Sequence, residues 1–357
     1  MTPQSDIGLA EWCTLEVGGA ARWFVDSPDE SSVIAALGWA ADRQLPVHIL
    51  GGGSNVVFAD RGFSGLVIRT SLKGLEVAAE GDSAVFRVGA GEPWDPIVAR
   101  SVEEDCAGLE CLSGIPGQVG GTPIQNVGAY GQEVSGSITA VHAVDRASLR
   151  LRSFGASECA FGYRTSRFKT VDRNQFVVTR VDFRLARSGE PTLAYADVVA
   201  YFDDDPRRPS LERVREAVLE IRRRKGMVIE PGNPANRSVG SFFVNPAVSR
   251  ACFRELSTSY SAVPHYASGP DAIKVPAAWL IEQAGFTRGF RRGNVGISPF
   301  QAQAIVNHGG ACADEVVALA ADIKRAVWNA FRITIVPEPV FVGFERTAEI
   351  EWLEERR

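Results

Sequence analysis

The chain has 357 residues, 45% hydrophobic and 23% charged, and its 38 Lys plus Arg against 43 Asp plus Glu leave a net charge of -5. That acid excess has the wrong sign for a nucleic-acid surface, and no apolar run approaches the ~18–20 residues of a membrane span. Single cores seldom grow beyond ~250–300 residues, so two or three domains are expected.

The N-terminus MTPQSDIGLAEWC has neither the basic leader nor the apolar core of an export signal, which points to a cytoplasmic protein. Residues 1–72 read as a small α/β unit: VGGAARWFVDS, PVHIL and GLVIRT as strands, and residues 28–44 as a helix. A second α+β unit covers 73–210, with strands in AVFRVGAG, ITAVHAVD and QFVVTRVDFRL, a helix over 94–105 and a Gly/Pro-rich centre over 114–131. Its end, RSGEPTLAYADVVAYFDDDPRRPS, reads as a polar, flexible connection. A helix over 211–225 opens a third segment that runs to residue 332. Within that helix the arginines of the basic run Arg222-Arg223-Arg224-Lys225 read as a solvated face. Residues 333–357 rejoin the first unit through a strand in RITIVPEPVFVG, and IEWLEERR is a charged helix or a frayed end. The six cysteines (Cys13, Cys106, Cys111, Cys159, Cys252, Cys312) form no CxxC and no zinc spacing with the four histidines, so they read as reduced core thiols and no metal is expected.

Two glycine runs carry the functional signal. In HILGGGSNVVFAD, Gly51, Gly52 and Gly53 end a strand and precede Ser54 and Asn55. So bare a backbone implies a tight turn or a close neighbour, and neither the G-x-x-x-x-G-K-[ST] loop nor a G-x-G-x-x-G fingerprint is present. What remains is a nest of N–H groups able to wrap a diphosphate. The second run, CLSGIPGQVGGTPIQNVGAYGQEV, packs six glycines and two prolines among apolar residues too numerous for a solvent loop. Two such loops suit one long ligand with a diphosphate at its middle, as in FAD.

TLEVGGAA, LGGGSNVVFAD, GLECLSGIPGQVGGTPIQNVGAYGQEV, FGYRTSRFK, SVGSFFVNP, KVPAAWLIEQAG and VPEPVFVG together resemble the UDP-N-acetylenolpyruvoylglucosamine reductase family, in family order and over nearly the whole chain. LAYADVV and PIQNVGAYG further resemble its tyrosine-loop subgroup. The resemblance implies an α+β protein, with a two-subdomain FAD-binding fold of the PCMH/vanillyl-alcohol-oxidase type and a C-terminal α+β substrate-binding domain. It implies non-covalent FAD, NADPH as hydride donor, UDP-N-acetylglucosamine enolpyruvate as substrate, and a monomer without nucleic-acid or membrane partners. Gly51, Gly52, Gly53, Ser54 and Asn55 would hold the pyrophosphate. Ser113, Gly114, Ile115, Pro116, Gly117, Gly121, Thr122, Tyr130 and Val178 would line the cofactor. Tyr195, Lys225, Asn245, Lys274, Arg288 and Gln301 would bind substrate.

Reducing a vinyl ether conjugated to a carboxylate requires hydride on the terminal carbon and a proton on the carbon bearing the carboxylate, through an enediolate-like anion. The resemblance assigns Arg164 to the carboxylate, for which a permanent planar cation is suited, Ser241 to the proton, and Glu338 to completing the set. Two positions depart from the family pattern. Val244 replaces a usual lysine and removes a charge near the substrate, and Pro339 stands beside Glu338 in PEPV. Rival readings are another flavin oxidase or dehydrogenase of the same fold, for which His48 is the one histidine near a glycine loop, and a sugar-nucleotide binder that has lost its chemistry.

Overall fold

The computed structural model describes residues 2–204, 207–230 and 236–355. They fall into two compact units. One takes in residues up to Ile7, Ala21–Gly53 and Ser64–Ile229; the other takes in Gly8–Ala20, Ser54–Phe63 and the residues from Glu230 onward.

In the first unit, strands Gln4–Gly8, Ala20–Ser27, Phe63–Thr70 and Val47–Leu50 lie side by side in that order, the last two parallel with Ile49 opposite Ile68. The helix expected over 28–44 spans Glu30–Asp42. Asp29 and Ser32 form a reciprocal capping box at its start. Its buried Val33, Ala36, Leu37 and Ala40 recur at helical spacing and pack on Val25, Leu66 and Ile68. A larger antiparallel sheet follows the order Leu151–Gly155, Ile138–Asp145, Phe176–Arg187, Ser83–Gly89, Leu75–Glu80. Helix Trp94–Glu103 covers it, burying Trp94 against Phe86, Phe183 and Val98. Each such fully buried side chain contributes ~1.5–3 kcal/mol of transfer free energy. The Trp94 indole is satisfied as well, donating to Leu112 O at 3.0 Å.

The segment read as a flexible connection is ordered where it is described. Ala196–Tyr201 is a helix, and its buried Val198 and adjoining Phe202, four residues apart, share a face that packs on Val214, Val218 and Ile221 of helix Leu211–Arg224. The boundary drawn at residue 211 thus falls at the start of a helix that packs within the first unit. Arg222 is a correction: Arg223 and Arg224 are exposed, but Arg222 is only 6% exposed, because it shares a helix face with Val214, Val218 and Ile221.

The second unit is built around the 19-residue helix Ala313–Phe331. Asp60 accepts the N–H groups of Ala313 (2.7 Å) and Asp314 (3.0 Å), placing a carboxylate on the positive end of the helix. RITIVPEPVFVG is not one strand. Val336–Pro337 pairs with Phe243–Val244, whereas Val340–Val342 runs parallel to Val56–Phe58. The interruption falls at Glu338-Pro339, where proline has no N–H to donate to a ladder. The C-terminal helix Ala348–Glu354 ends on Lys324, whose fully buried ammonium donates to the carbonyls of Trp352 (2.6 Å), Leu353 (2.9 Å) and Glu355 (2.8 Å). Cys13, Cys106, Cys111 and Cys159 are buried thiols. Cys252 is half-buried and Cys312 is exposed at a helix start, so these two are not core residues. Among the described residues no helix is long and apolar enough to cross a membrane.

Candidate active site

Gly51, Gly52 and Gly53 leave strand Val47–Leu50 as a loop in which Gly53 takes a positive φ of 65°. A Cβ on Gly52 would lie 2.8 Å from Gly117 Cα and 3.0 Å from Gly117 C. The two glycine loops therefore meet backbone to backbone, which only glycine permits. Beside them the buried Oε1 of Gln118 lacks a hydrogen-bond partner and sits 3.4 Å from where a Gly51 Cβ would be. A Cβ on Gly121 would meet nothing within 4 Å. Open space, a side chain-free backbone and an orphaned acceptor suit a ligand that carries both a diphosphate and sugar-like hydroxyls, as FAD does.

The hydroxyls assigned to this loop are engaged in holding it. Ser113 Oγ donates to Glu110 O at 2.6 Å and Thr122 Oγ1 to Val119 O at 2.8 Å, so what the loop presents is backbone. Asp95 accepts the Gly114 N–H (2.6 Å) and a bidentate pair from Arg215 (2.7 and 2.8 Å). Burial pushes the Asp95 carboxyl up, but these donors outweigh it and hold the group below its ordinary value. Val178 is buried in the core of the larger sheet. His48 lies on the strand before Gly51, and burial together with Arg146 holds its imidazole down at about 4, so it is neutral.

Tyr130, Tyr195 and Lys225 come together in the first unit. Tyr130 and Gly131 both have positive φ (49° and 89°) between Gly128–Ala129 and Gln132–Glu133, the geometry of a tight two-residue hairpin loop. The Tyr130 ring meets Tyr195 edge-on at 5.4 Å, and Lys225 Nζ stands 5.6 Å over it while pairing with Asp197. Burial raises the Tyr130 phenol, against the opposing charges of Arg222 and Lys225. Arg164 is in this unit too, at a positive φ of 53°, with Nη2 donating to Gly128 O at 2.7 Å.

Ser241 and Glu338 are neighbours in the second unit. The pairing of Phe243 with Pro337 carries on as Glu338 N–H donates to Phe242 O at 2.8 Å, which sets Glu338 opposite the residue next to Ser241. Asn55 joins them: its Nδ2 donates to Glu338 O (3.4 Å) and its carbonyl accepts Val340 N–H (3.0 Å). The remaining substrate candidates are placed less uniformly. Gln301 has a buried, partnerless Nε2. Asn245 Oδ1 accepts Ala277 N–H at 2.9 Å and so holds the start of helix Ala277–Gln283. Lys274 ends strand Ala272–Lys274, and Arg288 is an exposed residue whose Nε pairs with Glu282 at 3.0 Å. Val244 faces Val336 across the short strand pair.

Comparison with known proteins decides the family. Residues 23–148 match an FAD binding domain, and residues 233–342 match the C-terminal domain of UDP-N-acetylenolpyruvoylglucosamine reductase. The chain is 43% identical over 352 residues to the UDP-N-acetylenolpyruvoylglucosamine reductase of Thermobifida fusca (strain YX), which covers 95% of this chain and 97% of that one. The chain belongs to the UDP-N-acetylenolpyruvoylglucosamine reductase family. The reductase of Mycobacterium tuberculosis (strain ATCC 25177 / H37Ra) is 40% identical over 356 residues, with 94% of each chain covered. The solved UDP-N-acetylenolpyruvylglucosamine reductase of Thermus caldophilus matches with a TM-score of 0.63 at 25% identity, over 96% of this chain and 99% of that one. The fold is accordingly the α+β one the motifs implied, an FAD-binding domain with the family's C-terminal domain.

Several residues that shape this reductase-family site escaped the sequence reading. Glu110, fully buried, accepts from Gly108 N–H (2.8 Å), Thr192 N–H (2.8 Å) and Gln132 Nε2 (2.7 Å). It thereby ties the segment that leads to Tyr195 onto the second glycine run. Arg222 has a buried Nε without a partner, 3.3 Å from where a Gly114 Cβ would be. The only sequence trace of Glu110 is a charged residue inside the apolar motif GLECLSG.

Proposed function

We propose that the chain reduces UDP-N-acetylglucosamine enolpyruvate to UDP-N-acetylmuramate with NADPH, in peptidoglycan precursor synthesis, as a monomeric cytoplasmic enzyme. FAD would be held by the backbone of Gly51–Asn55 and of Ser113–Gly117 with Gly121 and Thr122, and when bound it would supply hydride transfer between NADPH and the substrate. The chain's own residues do the rest. Arg164 neutralises the substrate carboxylate and so favours the charge that develops there. Ser241 gives its hydroxyl proton to the carbon that bears the carboxylate; a serine is a weak acid, and a carbanion of this strength is a suitable partner for it. Glu338 completes the set by polarising the substrate carboxylate as the intermediate is protonated. Tyr195 and Lys225 take the diphosphate, the tyrosine as neutral donor and the lysine as a point charge, with Asn245, Lys274, Arg288 and Gln301 towards the nucleotide end.

The observation that carries this reading is the bond from Glu338 N–H to the carbonyl of Phe242, the residue next to Ser241, with Asn55 of the glycine loop bonded to Glu338 O. The test is anaerobic. NADPH should bleach the purified yellow protein, and added UDP-N-acetylglucosamine enolpyruvate should restore the colour with formation of the saturated lactyl ether. Colour that returns only when oxygen is admitted would show an oxidase acting on another substrate. A colourless protein that binds UDP-sugar would be a binder without chemistry.

A further inference from the structure

Arg164 stands on a turn with two anchored feet. Gly162 N–H donates to Thr165 O at 3.0 Å and Thr165 N–H to Gly162 O at 3.1 Å, leaving Tyr163 and Arg164 at the tip. A turn closed by two bonds does not by itself fix where its tip points. Its surroundings do: beyond the turn Ser166 Oγ donates to Ile124 O at 2.6 Å, and at its root Gly162 O accepts Asn126 Nδ2 at 3.1 Å. Both feet are therefore tied to the single stretch 124–126.

Asn126 is the hub of this arrangement. It is 1% exposed and left-handed (φ 48°), a conformation asparagine tolerates better than other branched or long side chains. Its Nδ2 donates both to Gly162 O and to Glu133 Oε2 (2.7 Å), and its Oδ1 accepts Ser135 N–H (3.1 Å). Glu133 pairs with Gly128, whose carbonyl accepts Arg164 Nη2. One amide thus links the root of the Arg164 turn to the hairpin that receives the Arg164 guanidinium. Aspartate at this position would lose both donors and set a second carboxylate against Glu133, and alanine would orphan the partners in a buried place.

We propose that Asn126 is a positioning residue for substrate reduction, holding the 162–165 turn so that Arg164 meets the substrate carboxylate in one orientation. This rests on the reading of Arg164 given above. Small displacements of a charge-stabilising group cost rate steeply, so the effect belongs to the half-reaction that uses Arg164.

The experiment uses the FAD-loaded protein in anaerobic stopped flow with each half-reaction followed separately. In Asn126→Ala, bleaching by NADPH should stay within about twofold of the parent while reoxidation by UDP-N-acetylglucosamine enolpyruvate slows ~10–10²-fold. Added to Arg164→Ala, the same change should slow reoxidation no further, since residues acting through one another are not additive. Hydrogen exchange of the Thr165 amide should be faster in Asn126→Ala than in the parent. Equal losses in both half-reactions, or a full additional loss in the Arg164→Ala background, would mean a general structural role and would overturn the proposal. Normal reoxidation in Asn126→Ala with slow reoxidation in Arg164→Ala would overturn it while leaving Arg164 in place. Normal reoxidation in Arg164→Ala would instead remove the underlying reading. Should Asn126→Ala not fold, Ser166→Ala loosens the other foot and should show the same selective loss at ~3–10-fold; no selectivity there would also overturn the proposal.

Discussion

Arg164 in the first unit and Glu338 in the second are both charged residues on irregular backbone, but different kinds of bond hold their segments. The Arg164 turn is fastened by side chains, Asn126 on one foot and Ser166 on the other. The Glu338 segment is fastened through backbone, by Phe242 O and by Val340 N–H on Asn55 O, with one added bond from the Asn55 amide. A backbone ladder survives most substitutions, whereas a side-chain staple is lost with one. Variants near Arg164 should therefore report geometry, and variants near Glu338 should report chemistry.

The largest expected break is at Glu110, another side-chain fastening. Glu110→Ala leaves three buried donors without an acceptor and should cost about 3 kcal/mol or more, seen as a lower thermal midpoint and weaker protection of the Thr192 amide. An unchanged midpoint would mean that water replaces the carboxylate. On the backbone-held side, Ser241→Ala should leave stability within ~0.5 kcal/mol and NADPH bleaching intact while slowing reoxidation ~10²-fold or more. Unaltered reoxidation would take Ser241 out of the mechanism. Ser166→Ala removes the hydroxyl's bond to Ile124 O and its cap on Phe168 N–H, and should cost about 1–2 kcal/mol in a denaturant titration, against almost nothing for the backbone-held neighbour Val244→Lys. His48 provides the mildest test. Because its folded value (about 4) lies below the unfolded value (near 6.5), its contribution is complete above the unfolded value and is lost as pH falls from there towards about 4. At pH 6 the loss should be under about 1 kcal/mol, and His48→Gln should flatten that part of the stability profile.

Periodic features were legible in the sequence. The helix expected over 211–225 spans Leu211–Arg224, that over 94–105 spans Trp94–Glu103, and the six apolar runs read as first-unit strands are strands, whereas the mostly exposed strands Gln4–Gly8, Leu75–Glu80 and Leu151–Gly155 were not foreseen. The close approach of Gly52 to Gly117 was foreshadowed by glycine alone. What escaped lacks a period. Glu110 acts on Thr192, 82 positions away, and Asn126 on Gly162, 36 away. Arg222 was hidden within a uniform basic run, where only the helix phase separates the buried arginine from its exposed neighbours. The break at Glu338-Pro339 lay inside an apolar stretch that alternates like a single strand, and only the two different pairing partners reveal it.

The parallel pairing of Val56–Phe58 with Val340–Val342 also sets a schedule for synthesis. The early strand emerges from the ribosome about 280 residues before its partner, and at ~5–20 residues per second it waits roughly 15–60 s. During that interval an apolar Val-Val-Phe edge has no late strand to cover it, the kind of surface that recruits chaperones or another chain. Slowing the ribosome should therefore lower the soluble yield of this protein before it lowers the stability of any molecule that has finished folding.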